Sequence, residues 1–500
     1  MKKILFWYSA EFTHFCLTSA LQKQIDAECF AIIDSPNKHK KFYESQSLVK
    51  LKKKWYLHDY IKKDTVPDIQ YLNQIEKKYD LNLWNFVLNE RIFYNFFDFK
   101  KFTRDEILAI EEQIIKLIEN VLDEIKPDYL ITKLPHLHHH ELLTRICEKR
   151  KIPILMLNFS LIGPGTILMQ KVSEYDEIER YQDTKFERMT FQECYDFLKG
   201  TKKNMTGSTI TLEKDKDRFG PKTLSMFFKY LFSNNEKINT NFDYFGRTKS
   251  KVISYEIKQL VKKKIRKKFI DNNFQMNPNL NIPFIYMPLS VDMERSILID
   301  APHYTNHLEV VRSVAKSIPI DSLLYVKEHP AQTMRSWRST REYKELLKIP
   351  NVVLIHPEYP TQNLYQKCNL VISIGGTSGF EAAVFKKPSI ILANLRYDFL
   401  PSVEVCNSIG DLHSLINKSL KKLVDYDDVS KYFHFTKSII NDFNWGRFNM
   451  EFHDEFYPDN NVDVEISEER LEKFLINQEN TLKSIADFHV KKIKLLEEEN

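Results

Sequence analysis

Apolar positions along the chain fall into two rounds of the same alternation. Short charge-free runs rich in Ile, Val, Leu and Tyr are separated by longer segments with apolar residues at helical spacing. Residues 4–8 form the first such run and predict a strand. A loop carrying Glu11 and His14, a helix to about Ala27 and a strand over 29–33 ending at Asp34 complete a βαβ opening. Residues 38–63 are rich in lysine and read as a solvated loop, and 81–97 as a helix crowded with aromatics. Thr103 and Glu106 have capping-box spacing. The helix they start has apolar residues at 107, 110, 114, 117, 118, 121, 122 and 125 and stops before Pro127. Strands are predicted at 129–132 and 154–157, with a tight loop at Gly163-Pro164-Gly165. Residues 173–245 are polar and broken by Gly200, Gly207 and Gly220, and read as a variable insertion.

The second round begins near Asn277. Strands are predicted at 283–287, 322–327, 352–355, 370–374 and 389–392, and helices at about 304–316, 361–367 and 378–386. This is the order of a doubly wound α/β sheet. From about Asp411 the chain reads as mainly helical, with 465–500 expected to cross back onto the first domain. Between the rounds, residues 247–268 carry Arg247, Lys249, Lys251, Lys258, Lys262, Lys263, Lys264, Arg266, Lys267 and Lys268 against Glu256 alone. Val252, Ile253, Ile257, Leu260, Val261 and Ile265 give that helix an apolar stripe. The stripe is expected to pack between domains; a surface meeting anionic lipid or a polyanionic glycan is the other reading.

Five hundred residues exceed one ordinary core and imply two domains. The expected division is 1–245 (with the insertion at about 173–245), a basic linker helix at 246–276, a second domain at 277–410 and a helical region at 411–500. A net charge of only +5, with acids and bases mixed, argues against a dedicated nucleic-acid binder. The cysteines Cys16, Cys29, Cys147, Cys194, Cys368 and Cys406 include no close pair. They suggest neither a zinc site nor a disulfide framework, and fit a reducing cytoplasm. No run approaches the length of a membrane span. The basic start Met1-Lys2-Lys3 is followed by Glu11 and His14 rather than by a signal-peptide pattern.

Candidate chemistry lies beyond the predicted strand ends. After 370–374 come Gly375, Gly376, Thr377 and Ser378, then a short helix with Glu381. Glycines at a strand-to-helix turn let a ligand approach the backbone, and free N–H groups at a helix start attract a phosphate. The alternative is plain capping, because Ser378 and Glu381 also have capping-box spacing. The strand 322–327 ends in Lys327-Glu328-His329-Pro330, placing His329 near that turn if both strands share a sheet. In the first half, Pro135-His136-Leu137-His138-His139-His140-Glu141 follows a strand. Consecutive histidines cannot all face one ion, so metal binding is not expected; a surface helix start or an acceptor-facing polar role remains.

YVKEHP, followed about fifty residues later by SIGGTSGFEAAVFKKP, resembles the C-terminal half of the capsule polysaccharide biosynthesis glycosyltransferases. Their relatives include Kdo transferases and, more distantly, CMP-sugar-dependent sialyl- and polysialyltransferases. The stretch 284–289 with Glu294, Pro302 and Tyr304 is similar to that family too, and LNLWNFVLNERIF and IKPDYLIT resemble it more loosely. The resemblance implies an α/β, GT-B-like chain: two Rossmann-like doubly wound domains facing a cleft, with C-terminal helices. It implies a glycosyltransferase that takes a nucleotide-activated sugar, foremost a CMP-activated ulosonic acid, to build surface polysaccharide.

By that resemblance His329-Pro330 contacts the donor phosphate and assists departure of CMP. Gly375, Gly376, Thr377 and Ser378 hold the phosphate, Glu381 reaches the ribose and Lys327 adds charge. Catalysis is expected to be inverting and metal-independent, with no cofactor beyond the donor. The acceptor-side base is expected from Glu11, His14 or the 138–141 cluster, including His139. A glycan or glycolipid acceptor is implied as partner, with the protein cytoplasmic or peripheral on the inner membrane face. A UDP-sugar 2-epimerase, another nucleotide-sugar or glycerophosphate transferase, and a non-catalytic glycan-binding subunit are the alternatives.

Overall fold

The computed structural model describes residues 1–95, 99–204, 246, 248–457 and 461–498. The first sheet contains β1 (Lys2–Ser9), β2 (Ala27–Asp34), β3 (Lys53–Tyr56), β4 (Tyr129–Lys133), β5 (Ile154–Phe159) and β6 (Thr166–Met169). Their order is β3-β2-β1-β4-β5-β6. Only β6 is antiparallel, paired with β5. The second sheet contains β7 (Phe284–Pro288), β8 (Leu323–Lys327), β9 (Val352–Ile355), β10 (Leu370–Ser373), β11 (Ser389–Ile391) and β12 (Val403–Val405). It is parallel throughout, ordered β12-β11-β10-β7-β8-β9.

Both sheets are doubly wound, and each reverses direction beside its first strand. The switch lies between β1 and β4 in one sheet and between β7 and β10 in the other. Central strands are buried on both faces, which is why they read as unbroken apolar runs. The loops beyond β4 and β7 meet across a cleft. There Arg295 Nη1 donates to Pro135 O at 2.6 Å and to Glu141 Oε2 at 2.9 Å. This is the GT-B-like arrangement of two Rossmann-like sheets, with helices from Leu412 onward completing the chain.

The C-terminal helices return to the first sheet. Helices Trp445–Phe456 and Glu479–Glu498 contribute Phe448, Phe452, Ile485 and Ile493 to one core with Ile4, Phe6 and Tyr8. Trp445 Nε1 donates to Thr13 Oγ1 at 3.0 Å. Gly165, read only as part of a tight loop, is where the returning chain crosses. A Cβ there would lie 2.4 Å from Asn441 O and 2.2 Å from Ile440 Cγ2.

Several expectations are corrected. Residues 38–63 are not a loop; they hold the helix Asn37–Ser45 and the edge strand β3. Its sequence KKWY hides the strand because edge strands carry lysines that face water. The helix expected at 81–97 is only Leu83–Asn89; Glu90 is extended (φ −71°, ψ 128°) and a π turn, Arg91–Asn95, follows. Residues 96–98 of that expectation lie outside the described residues. Helix Thr340–Leu347 and strands β6 and β12, too short to show a period, add to the elements expected. Within 173–245 the structure has the helix Phe191–Asn204, and 205–245 lie outside the described residues. The capping box at Thr103 and Glu106 forms as expected and opens the helix Arg104–Ile125.

The basic helix spans Lys249–Asn273; Arg247 lies outside the described residues. Its apolar stripe does not disappear between domains. Only Ile270 is buried, while Ile257, Val261 and Ile265 are each more than half exposed.

Candidate active site

The turn after β10 lies at the switch point of the second sheet, where an open α/β sheet receives ligands. Gly376 has φ +81°, and a Cβ there would meet nothing within 4 Å. Glycine is required here by backbone conformation, and the space beside it is open. Gly375 packs against Ser296 instead, whose O would be 3.0 Å from a Cβ. Two hydroxyls hold the carbonyls of the turn on one side. Ser373 Oγ donates to Gly375 O at 2.7 Å, and Tyr397 OH to Gly376 O at 2.6 Å. A trans peptide directs its N–H opposite to its C=O. The N–H groups of Gly376 and Thr377 are therefore directed away from those hydroxyls. With the start of helix Ser378–Val384 they form a positive concavity suited to an anion.

Ser373 and Tyr397 escaped the sequence reading. Tyr397 is 21 residues from its acceptor, and only the crossing of the loop after β11 brings it there. Gly379 serves the same contact: a Cβ would meet Ile391 Cγ2 at 2.8 Å and Tyr397 OH at 3.0 Å.

The capping box between Ser378 and Glu381, the alternative reading of that spacing, does not form. Thr377 is the capping residue and makes no side-chain cap bond. Its hydroxyl donates to Glu381 Oε1 at 2.7 Å instead. Glu381 is buried, so the structure places it beneath the turn, orienting Thr377, rather than open in the cleft. Lys327 is also buried, its Nζ donating to Thr361 Oγ1 at 3.1 Å.

His329 and Pro330 are exposed at the end of β8, which is separated from β10 by β7 alone. Two strand spacings put the two loops roughly 10 Å apart at their bases. His329 Nδ1 accepts from Ala331 N at 3.1 Å. In the neutral ring this leaves the proton on Nε2, as a donor. Glu328 faces the other way. Its carboxylate, buried, accepts from Arg338 Nε at 2.9 Å and Tyr343 OH at 2.8 Å. Arg338 in turn donates to Ser290 O at 2.6 Å. This buried network, unread in the sequence, fixes the strand end that carries His329.

Across the cleft, Glu11 follows β1 and its carboxylate lies 2.8 Å from Lys133 Nζ at the end of β4. Confinement pushes the Glu11 carboxyl up, but Lys133 outweighs it and holds the pKa below the ordinary value. The Glu11 side chain keeps 41% of its surface exposed. His14 is buried, and that burial pushes its pKa down to about 3, helped by His489 and Lys133. His139 is buried too, with Nε2 3.0 Å from Asp34 Oδ2; His58 Nε2 takes the other oxygen at 2.9 Å.

The histidine run does not open a surface helix. His138, His139, His140 and Glu141 are all buried at the start of helix His138–Lys149. His138 sits between Glu90 (Nδ1 to Oε2, 3.1 Å) and Glu111 (Nε2 to Oε1, 2.6 Å). Burial alone would lower its pKa, but the two carboxylates raise it to about 10. His140 stacks on Trp7 with ring centroids 4.4 Å apart. Four neighbouring side chains thus go to four different partners, as consecutive positions on a helix require. Among the described residues no group of three or more His, Cys, Asp or Glu is arranged to hold a metal ion. Glu294, at the loop beyond β7, carries a carboxyl pushed up to about 7 by confinement, with Asp292 adding to it.

The architecture is that of a two-domain GT-B-like protein with an anion-suited turn in its second sheet. Residues 226–400 match the model of the family described as capsule polysaccharide biosynthesis protein, the family that the His329 and 374–388 motifs resemble. No curated protein matches the chain. Among solved structures, the S. aureus MnaA-UDP co-structure is similar at 12% identity, covering 92% of this chain and 98% of that one, with a TM-score of 0.25. UDP-GlcNAc 2-epimerase from Neisseria meningitidis bound to UDP-GlcNAc is similar at 13% identity, covering 90% and 98%, TM-score 0.25. Thermosulfurimonas dismutans KpsC, a beta Kdo 2,7 transferase, is similar at 13% identity over 59% of this chain and 78% of that one, TM-score 0.26. No helix among the described residues is long and apolar enough to cross a membrane.

Proposed function

We propose that the protein is a glycosyltransferase of capsular or surface polysaccharide synthesis that uses a nucleotide-activated sugar, foremost a CMP-activated ulosonic acid. The observation that carries this is the 375–378 turn. Its carbonyls are tied down by Ser373 and Tyr397, its amides are turned outward, and His329 stands on the next strand but one. In this reading the amides of Gly376 and Thr377 and the hydroxyl of Ser378 bind the donor phosphate, while the Thr377 hydroxyl, its one proton given to Glu381, holds the turn. His329 Nε2–H donates to the same phosphate and offsets the charge that develops as the bond from anomeric carbon to phosphate oxygen breaks. The acceptor hydroxyl attacks the anomeric carbon from the opposite face, inverting it, and its proton passes to a base of the first domain.

Among Glu11, His14 and His139, Glu11 is the one with an exposed side chain, and it takes the base role. Glu381 acts through Thr377 and Lys327 through the β8 end. Fixed amides and His329 supply the positive charge, so the reaction proceeds without a metal. The helix Lys249–Asn273 carries the protein on an anionic membrane face. Its exposed Ile257, Val261 and Ile265 lie at i, i+4 and i+8 beside Lys258 and Lys262.

Thermal melting of the full chain with CMP-Kdo, CMP-sialic acid, UDP-GlcNAc and CDP-glycerol tests the donor. Selective stabilisation by a CMP-sugar is expected. Selective stabilisation by UDP-GlcNAc, followed by its epimerisation, would replace this reading with the epimerase one. Stabilisation by none would remove nucleotide-sugar chemistry.

A further inference from the structure

A cavity of about 290 Å³ lies at the cleft edge, between helices Leu83–Asn89 and His138–Lys149 of the first domain and residues 298–302 of the second. Its charges are paired among themselves. Lys149 Nζ lies 3.0 Å from Asp80 Oδ2, and Arg145 Nε 2.8 Å from Glu141 Oε1. A free ion gains little from such a wall. What the cavity does present is amide and apolar surface. Asn82, Asn85 and Asn89 line it together with the half-buried ring of Phe86 and, from the second domain, Leu298. One buried group is left incomplete. Glu90 Oε2 binds His138, whereas Oε1 has Arg91 Nε 3.8 Å away and accepts no hydrogen bond among the described residues. Burial would raise the Glu90 carboxyl, but His138 lowers it to about 2, so it stays a carboxylate. A buried carboxylate oxygen without a donor is costly unless something brings one.

We propose that this cavity binds one uncharged sugar residue: Glu90 Oε1 and the Asn amides take its hydroxyls, and Phe86 takes its C–H face. The ligand class follows from the lining. A carboxylate oxygen, amides and an aromatic ring in a wall with its charges already paired suit a neutral polyol with one apolar face. Both domains meet at the site, where Asn89 Nδ2 donates to Pro302 O at 3.4 Å. Residues 134–137 connect it to Lys133, the partner of Glu11. On the transferase reading, on which only this assignment of role rests, it is the acceptor subsite.

Saturation-transfer NMR on the full chain without donor tests it, with the methyl glycosides of glucose, galactose, N-acetylglucosamine and N-acetylgalactosamine as probes. At least one is expected to receive saturation. Phe86→Ala and Asn85→Ala are each expected to weaken that binding at least ~5-fold, the scale of one lost contact or hydrogen bond. If Phe86→Ala melts early, Asn85→Ala, half-buried on its helix, carries the test. Saturation of no probe, or equal saturation in both variants, overturns the site. No donor or transfer enters the measurement. A chain that binds these sugars but turns over no nucleotide sugar would therefore keep the site and lose the transferase reading, and the converse result would do the reverse.

Discussion

At the residue scale, the two histidines that matter most are opposite in kind. His329 is exposed, caps its own turn through Nδ1 and supports little core. His329→Ala is expected to leave melting nearly unchanged and to cut transfer by at least ~10²-fold, on the scale of a lost positioned donor. A steady-state rate equal to wild type in folded protein would take it out of the mechanism. His138 is buried between Glu90 and Glu111, and its pKa is raised from 6.5 to about 10. The imidazolium therefore contributes stability that is fully present below pH ~6.5 and is lost as pH rises toward 10. Melting temperature is expected to fall across that window, and in His138→Gln the fall should be shallower. Parallel pH–melting curves for the two proteins would show that the clamp contributes nothing. The sequence showed four histidines in five positions. It did not show that His138, His139 and His140 go to different partners, because Glu90, Glu111, Asp34 and Trp7 are 27 to 133 residues distant.

At the element scale, the short helix Ser378–Val384 and the long basic helix were both legible, but their surroundings were not. The turn before the short helix separates capping from ligand binding. Thr377 makes no cap bond but donates to buried Glu381, so Thr377→Ala should cost the free protein about 1–3 kcal/mol. Nucleotide binding, measured by calorimetry, is expected to weaken by about 1.5–3 kcal/mol in Ser378→Ala for a charge-assisted bond, and by less in Thr377→Ala, which keeps its amide. Glu381→Gln, which keeps an acceptor for Thr377, should weaken it less still. Normal affinity in all three variants would send the donor site elsewhere.

The basic helix was expected to bury its stripe, the usual fate of an amphipathic helix in a two-domain chain. The fold instead buries Ile270 and leaves Ile257, Val261 and Ile265 in solvent beside their lysines. Full-length protein is expected to sediment with anionic vesicles at low salt and to be released near ~0.5 M, where screening shortens to a few Å. Ile257→Asp with Val261→Asp should abolish sedimentation even at low salt. Equal recovery with neutral and anionic vesicles would leave the helix an ordinary solvated one.

At the scale of the whole molecule, the chain is closed by its own end. Residues 440–441 cross Gly165, and the last helix lies on the first sheet. Gly165→Ala forces a Cβ to within 2.4 Å of Asn441 O. Overpacking of this kind costs about 1–3 kcal/mol. Melting is expected to drop accordingly, with early proteolysis of the C-terminal helices. An unchanged melting curve would mean that the crossing yields without cost. The two sheets are tied across the cleft by Arg295, which is buried and bonded to Glu141 and Pro135. Nothing near Arg295 in the sequence distinguishes it from a surface arginine.

The sequence by itself determined the class of fold. Central parallel strands are covered on both faces, so they must be apolar without interruption, and nine of the twelve strands among the described residues fall on runs readable in that way or on their direct neighbours. It also determined the place of the glycine turn after β10, because a glycine at φ +81° and two hydroxyls at a strand end leave a local mark. The edge strand β3 and the short β6 and β12 left none, since an edge tolerates lysines and three or four residues show no period. Only the tertiary structure decided which groups are buried and which face the cleft. Burial of Glu381 and Lys327, the hold of Tyr397 on Gly376, the pairing of Glu11 with Lys133 and the sugar-sized cavity at Glu90 all arise from segments far apart in the chain. Hydrogen bonds and ion pairs act over a few ångströms of space, and the order of residues along the chain fixes those distances only once the two sheets and the returning helices have packed.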